Sequence, residues 1–146
     1  MDFLYKELLN IQDCPIQFEG NSEILERQIA GFSIDSRTIE ANEIFVAIHG
    51  EKFDGHQFIN DVYKKGVQVC IVSESWFRSQ SENNLIQNYF IVEDTLSALQ
   101  EISRYYRLKF DIPLLALTGS NGKTTTKEMI AAVLEKKYNV LKNKGN

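Results

Sequence analysis

Gly119-Ser120-Asn121-Gly122-Lys123-Thr124-Thr125-Thr126 brings together the residue types that a polyphosphate needs. Glycines let the backbone bend and approach a phosphate with no Cβ in the way. The first N–H groups of a helix have no intrahelical partner, so a loop that opens a helix aims several donors at one anion. Lys123 would set its ammonium against the β- and γ-phosphates of ATP. Thr124 would offer a hydroxyl to Mg²⁺. Gly119, Ser120, Asn121, Gly122 and Thr125 complete the cradle. One feature departs from the general phosphate-loop pattern: the position six before the lysine is Leu117 where that pattern has glycine. The competing reading is an ordinary strand-to-helix turn with a solubilising lysine.

Such a loop must sit between a strand and a helix, and the flanking residues suit both. Leu114 to Leu117 reads as a buried strand. Lys123 to Lys137 reads as a helix with Met129, Ile130, Val133 and Leu134 inward, and Val140-Leu141 starts another strand. Pro113 cannot lie inside a preceding helix, which places a domain boundary between Leu108 and Pro113. Residues 1–110 carry 10 Lys+Arg and 17 Asp+Glu, a net −7, whereas 111–146 carry 6 and 3, a net +3. The basic part therefore holds the glycine-rich loop, as a polyanionic ligand requires.

Upstream, a short helix is expected over Asp2 to Asn10, capped by Asp2. Strands are expected at Gly31–Ile34, Glu43–Ile48, Val67–Val72 and Tyr89–Val92, and Gly50–Gly55 and Ser79–Asn84 read as loops. A helix lies around Phe58–Tyr63, with Lys64-Lys65-Gly66 as its stop. Another opens at Asp94-Thr95 with Leu96, Leu99, Ile102 and Tyr106 on one face, ending near Leu108. The expected class is α/β: a small α/β domain followed by the first βαβ unit of a phosphate-loop ATPase domain.

Composition excludes several classes. Hydrophobic residues are 43% and charged residues 25%, which rules out wholesale disorder. The apolar run from Ile112 to Leu117 is far too short for a membrane span. An acid at position 2 and no basic leader argue against a secretory signal, so a cytoplasmic location is expected. Two cysteines, Cys14 and Cys70, make no disulfide framework. No basic stripe interleaves with aromatics, so no nucleic-acid partner is expected.

The loop Leu117 to Thr126, including its missing early glycine, resembles the short phosphate loop of the Mur ligase family, which related amide ligases share. The first domain adds to the resemblance through Asp35-Ser36-Arg37, Ile44-Phe45-Val46-Ala47, Gly50 and Asp54-Gly55-His56-Gln57-Phe58-Ile59. Thr126-Lys127-Glu128-Met129 and Lys142-Asn143-Lys144-Gly145-Asn146 look most like the branch that joins D-alanyl-D-alanine to a UDP-N-acetylmuramoyl-tripeptide. The resemblance covers the chain from about residue 30 onward. It implies a UDP-substrate-binding domain at 1–110 and the start of a central ATP-binding domain at 111–146, from a family whose members have three domains. No turnover is expected of these 146 residues alone. It also implies ATP and Mg²⁺ as cofactors, catalytic roles for Lys123 and Thr124, and substrate contacts from Ser36, Arg37, Lys52 and Phe53. Ser36 and Arg37 would supply a hydroxyl and a planar cation to the UDP, and Phe53 would stack on uracil.

Three alternatives stay open. The branch that adds the third amino acid to the dipeptide uses the same chemistry. A generic phosphate-loop NTPase lacks the Asp35-Ser36-Arg37 domain. A nucleotide-sugar binding module needs no catalysis. Locally, Asp35-Ser36-Arg37 also fits a turn whose Asp and Ser bond their own backbone and whose Arg pairs with an acid. His49 and His56 lack partners at catalytic or metal spacing; Asp54 and His56 suit a loop and helix start, with Asp54 as cap. The peptide's third residue and the oligomeric state are not encoded in these motifs.

Overall fold

The computed structural model describes residues 3–50, 53–80 and 87–143. Lys52, Asp2 and most of the Ser79–Asn84 loop lie outside them. The chain forms two compact units, Met1–Phe110 and Asp111–Asn146.

The first unit is built on a five-stranded sheet. Its strands are β1 (Gln17–Glu19), β2 (Gly31–Ser33), β3 (Glu43–Val46), β6 (Val69–Ser73) and β7 (Asn88–Val92), in the order β1-β7-β6-β3-β2. A two-stranded hairpin, β4 (His49–Gly50) with β5 (Phe53–Asp54), projects from it in sequence between β3 and β6. The pairs β2–β3, β3–β6 and β6–β7 are parallel, and β1 pairs antiparallel with β7. The apolar runs explain the burial. Ile44, Val46, Val69, Ile71, Phe90 and Val92 enter one core, while Phe45, Ala47, Cys70, Val72, Tyr89 and Ile91 enter the other. A strand alternates faces with a period of two, so an uninterrupted apolar strand is stable only where both faces are covered.

Helix α3 (Thr95–Leu108) packs on the first face together with the N-terminal segment, which carries 3₁₀ helices at Tyr5–Asn10 and Ser22–Glu26. Phe3 stacks there against Tyr105 and Tyr106, and Lys109 lies over its ring. The second face is covered by α1 (Ile59–Lys64), with Trp76 and Phe77 of α2 (Glu74–Ser79) packed against it. Asp94 caps α3 by accepting from the Ser97 amide at 2.7 Å, which holds its carboxyl below the ordinary value.

Three expectations are corrected. Leu96 is 47% exposed, because α3 turns Thr95, Ala98 and Ile102 inward and the Thr95 hydroxyl donates to the Ala47 carbonyl at 3.0 Å. β1 and α2 were not expected; each is short, and β1 offers one apolar residue, Phe18, to any pattern. In the second unit, Leu114–Leu117 and Val140–Leu141 form no strand among the described residues, so of the expected βαβ unit only the helix α4 (Lys123–Leu134) is regular. A strand needs a neighbour to satisfy its N–H and C=O groups, and a lone βαβ unit has too few. With no sheet beneath it, α4 leaves Met129 and Val133 exposed and buries Ala131. The segment after α4 instead returns along it: Lys142 reaches Glu128 at 2.9 Å and Glu135 at 3.5 Å.

Candidate functional site

The carboxyl ends of parallel strands in an open α/β sheet are where ligands settle, since loops from neighbouring strands converge there. Here β2 leads into the turn at 34–38, β3 into the loop at 47–58, and β6 into α2 at Ser73. Ser36 and Arg37 therefore share an edge with Phe53 and His56.

The turn is internally tied. The Arg37 amide donates to Asp35 Oδ1 at 2.9 Å, and the guanidinium donates to both carboxylate oxygens at 2.9 and 2.7 Å. Those hydrogen bonds hold the Asp35 carboxyl at about 2, below its ordinary 3.8. So the acid pairing weighed for Arg37 is present, and the cation that could meet a diphosphate is engaged in a fork with its neighbour. Lys65, at the end of α1, adds a tie the sequence did not signal: its ammonium donates to the Ser36 carbonyl at 2.7 Å and to that of Arg37 at 3.0 Å. It had read only as part of a helix stop. The Ser36 side chain rides on a turn held at both ends.

The next loop is held by close packing. Gly55 lies so near the exit of β3 that a Cβ there would meet Ile48 N at 2.9 Å and the Ala47 backbone at 3.0 Å. Its amide donates to the Ile48 carbonyl at 2.8 Å. Phe53 is 55% exposed and stacks on Phe58 with ring centroids 5.4 Å apart. An exposed ring lying on a second ring is a flat apolar shelf, which a nucleobase can cover. Asp54 caps the 3₁₀ turn at Gly55–Phe58 by accepting from the His56 amide at 3.0 Å. Partial burial alone would raise the Asp54 carboxyl; the His56 amide and ring outweigh it and leave it below its ordinary value.

In the second unit the glycine-rich loop folds into a helix start. Gly122 occupies the left-handed region at φ 76° as the residue before α4, and Gly119 has φ 145°. Side chains with a Cβ are strained at both. The first rung of the helical ladder runs from the Thr126 amide to the Gly122 carbonyl at 2.9 Å, so the amides of Lys123, Thr124 and Thr125 lie ahead of it. The Lys123 ammonium folds back to donate to the Gly119 carbonyl, across the mouth of the loop. Thr124 is exposed on the first turn.

A family model described as the Mur ligase family, catalytic domain, matches residues 28–107, more than half of the chain, and one described as the Mur ligase middle domain matches 117–146. The chain belongs to the Mur ligase family. Among characterised relatives, this Mur ligase chain is 38% identical over 130 residues to the UDP-N-acetylmuramoyl-tripeptide–D-alanyl-D-alanine ligase of Bacillus subtilis, covering 87% of itself and 27% of that protein. A crystal structure of MurF from Acinetobacter baumannii superposes with a TM-score of 0.80 at 32% identity, over 99% of this chain and 30% of the other. The Thermotoga maritima MurF ligase, solved in complex with ADP, gives 0.67 at 31% identity, over 81% and 26%. The Mur ligase chain thus spans less than a third of the length of these relatives.

Proposed function

We propose that this chain carries the nucleotide-sugar-binding and ATP-binding segments of an ATP-dependent ligase that joins D-alanyl-D-alanine to UDP-N-acetylmuramoyl-tripeptide. On this reading residues 1–110 hold the UDP end through Ser36, Phe53 and Lys52, with Arg37 bracing the turn. Residues 111–146 hold ATP through the loop from Gly119 to Thr125. The observation that carries it is the joint occurrence, in one Mur ligase chain, of the two-glycine helix start at Lys123 and the Ser36–Phe53 sheet edge.

The chemistry explains why two anchors serve. A carboxylate is a poor acyl donor. Its oxygen attacks the γ-phosphorus of ATP, ADP leaves, and the acyl phosphate is then opened by the amine of D-alanyl-D-alanine with loss of phosphate and a proton. Little protein nucleophile is needed, so positioning and charge neutralisation dominate. Lys123 stabilises charge on the transferring phosphoryl group. The Thr124 hydroxyl, a hard oxygen donor exposed beside the loop, suits Mg²⁺, which would neutralise phosphate charge when bound. Holding the UDP end far from the reacting carbon lets remote binding energy orient the carboxylate. The tripeptide branch is preferred over the branch that adds the third residue because the Bacillus subtilis relative described above carries the D-alanyl-D-alanine activity in its name.

Calorimetry tests the reading. The 146-residue chain is expected to bind both Mg·ATP and UDP-N-acetylmuramoyl-tripeptide. Binding of ATP with no affinity for the UDP ligand would move the assignment to a generic NTPase.

A further inference from the structure

The imidazole of His56 is 2% exposed, and each of its nitrogens is engaged. Nε2 lies 3.0 Å from the Ser73 backbone nitrogen, and an amide N–H can only donate. Nε2 is therefore the lone-pair nitrogen, Nδ1 carries the proton, and Nδ1–H donates to Asp54 Oδ1 at 2.6 Å. The ring stacks on Trp76 with centroids 5.2 Å apart. Ser73 accepts from the Trp76 amide as the cap of α2, and its hydroxyl stands 3.2 Å from Nε2. One buried ring thus links the loop after β3, one residue beyond Phe53-Asp54-Gly55, to the carboxyl end of β6.

A polar side chain taken out of water costs free energy unless it is paired at every polar atom, and a simple core position is filled more cheaply by an apolar residue of like size. Here one bond is local, to Asp54 two residues back, and the other crosses to Ser73 at the end of β6, on the one sheet edge where Ser36 and Phe53 stand. We propose that His56 is a positioning residue: as a neutral Nδ1–H imidazole it holds the Phe53 loop against β6 in the conformation that receives the base of a uridine nucleotide. This rests on the nucleotide-sugar reading above. The residue touches no substrate; it acts through Asp54 and the loop.

The test uses the 146-residue chain with UDP as probe and ATP as internal control. In the parent chain, ¹⁵N spectra of the imidazole should show the Nδ1–H tautomer, and its proton resonance and the emission of Trp76, the only tryptophan, should shift on adding UDP and not on adding ATP. His56→Gln keeps one hydrogen-bonding end and should weaken UDP binding about tenfold while ATP affinity stays within twofold; His56→Phe should weaken UDP binding further. Folded variants that bind UDP within twofold of the parent overturn the proposal. If the variants do not fold, the parent chain decides: a Nδ1–H resonance that ignores saturating UDP overturns it, and one that moves supports it. A parent chain that binds no UDP overturns the nucleotide-sugar reading itself, and the positioning role with it.

Discussion

Replacing Gly55 by alanine puts a methyl group 2.9 Å from Ile48 N and 3.0 Å from two Ala47 backbone atoms. All three neighbours are backbone, so no side chain can swing aside. Overpacking of this kind costs about 1–3 kcal/mol. The loop must lift, which stretches the Gly55-to-Ile48 hydrogen bond, a further loss of about 0.5–1.5 kcal/mol. Reduced freedom of the unfolded chain returns about 0.4–1 kcal/mol. The net destabilisation is about 2 kcal/mol, or roughly 8 °C in melting temperature for a unit of this size. Trp76 lies in the first unit, so its fluorescence during heating follows that unit alone. Gly50→Ala is the control: five residues earlier, its added Cβ meets nothing among the described residues closer than Phe53 O at 3.8 Å, and it should melt at or slightly above the parent. If Gly55→Ala melts within 1 °C of Gly50→Ala, the close-packing account of this loop is wrong.

Lys123→Ala removes a charge-assisted contact and should weaken ATP binding roughly tenfold to hundredfold while leaving UDP affinity unchanged, as read by calorimetry. Equal ATP affinity would refute the cradle. Asp35 titrates below its ordinary value, so its pairing with Arg37 is intact above the ordinary 3.8 and is lost as pH falls toward about 2. Carbon-detected titration should place Asp35 near that lower value in the parent and shift it toward 3.8 in Arg37→Ala; no shift would mean that the fork is not what holds it. Burial pushes the Cys70 thiol up to about 12. A thiol reagent at pH 8 should therefore modify the partly exposed Cys14 in the native chain and reach Cys70 only in denaturant, which mass spectrometry can count.

The parallel core was legible because its signal is strong. Ile44 to Ala47 and Val69 to Val72 are unbroken apolar runs, and a strand covered on both faces has no other solution. β1 was illegible because Gln17-Phe18-Glu19 owes its conformation to pairing with Tyr89–Ile91, a contact across the chain that leaves no local trace. α2 rests on six residues and the Ser73 cap, below the length at which helical periodicity stands out. At the candidate site, residue types announced a glycine-rich helix start, since Gly119 and Gly122 stand where a Cβ is strained. The tie from Lys65 to the 36–37 backbone was hidden, because a lysine that bonds carbonyls 28 and 29 residues away looks like any lysine at a helix end. His56 read as a loop stabiliser, and what the sequence could not supply was Ser73, its second partner 17 residues on.

The strand order has an evolutionary reach. β2, β3 and β6 are neighbours in space, and in sequence only the small hairpin, the 3₁₀ turn and α1 are interposed among them, while the first and last strands pair at the far edge. The border proposed to face the ligand is consequently encoded by one uninterrupted stretch, from Gly31 to Ser73. Recombination could exchange that stretch between homologues as a cassette, trading one recognition border for another while the amino-terminal arm and α3 stay put as a shared chassis.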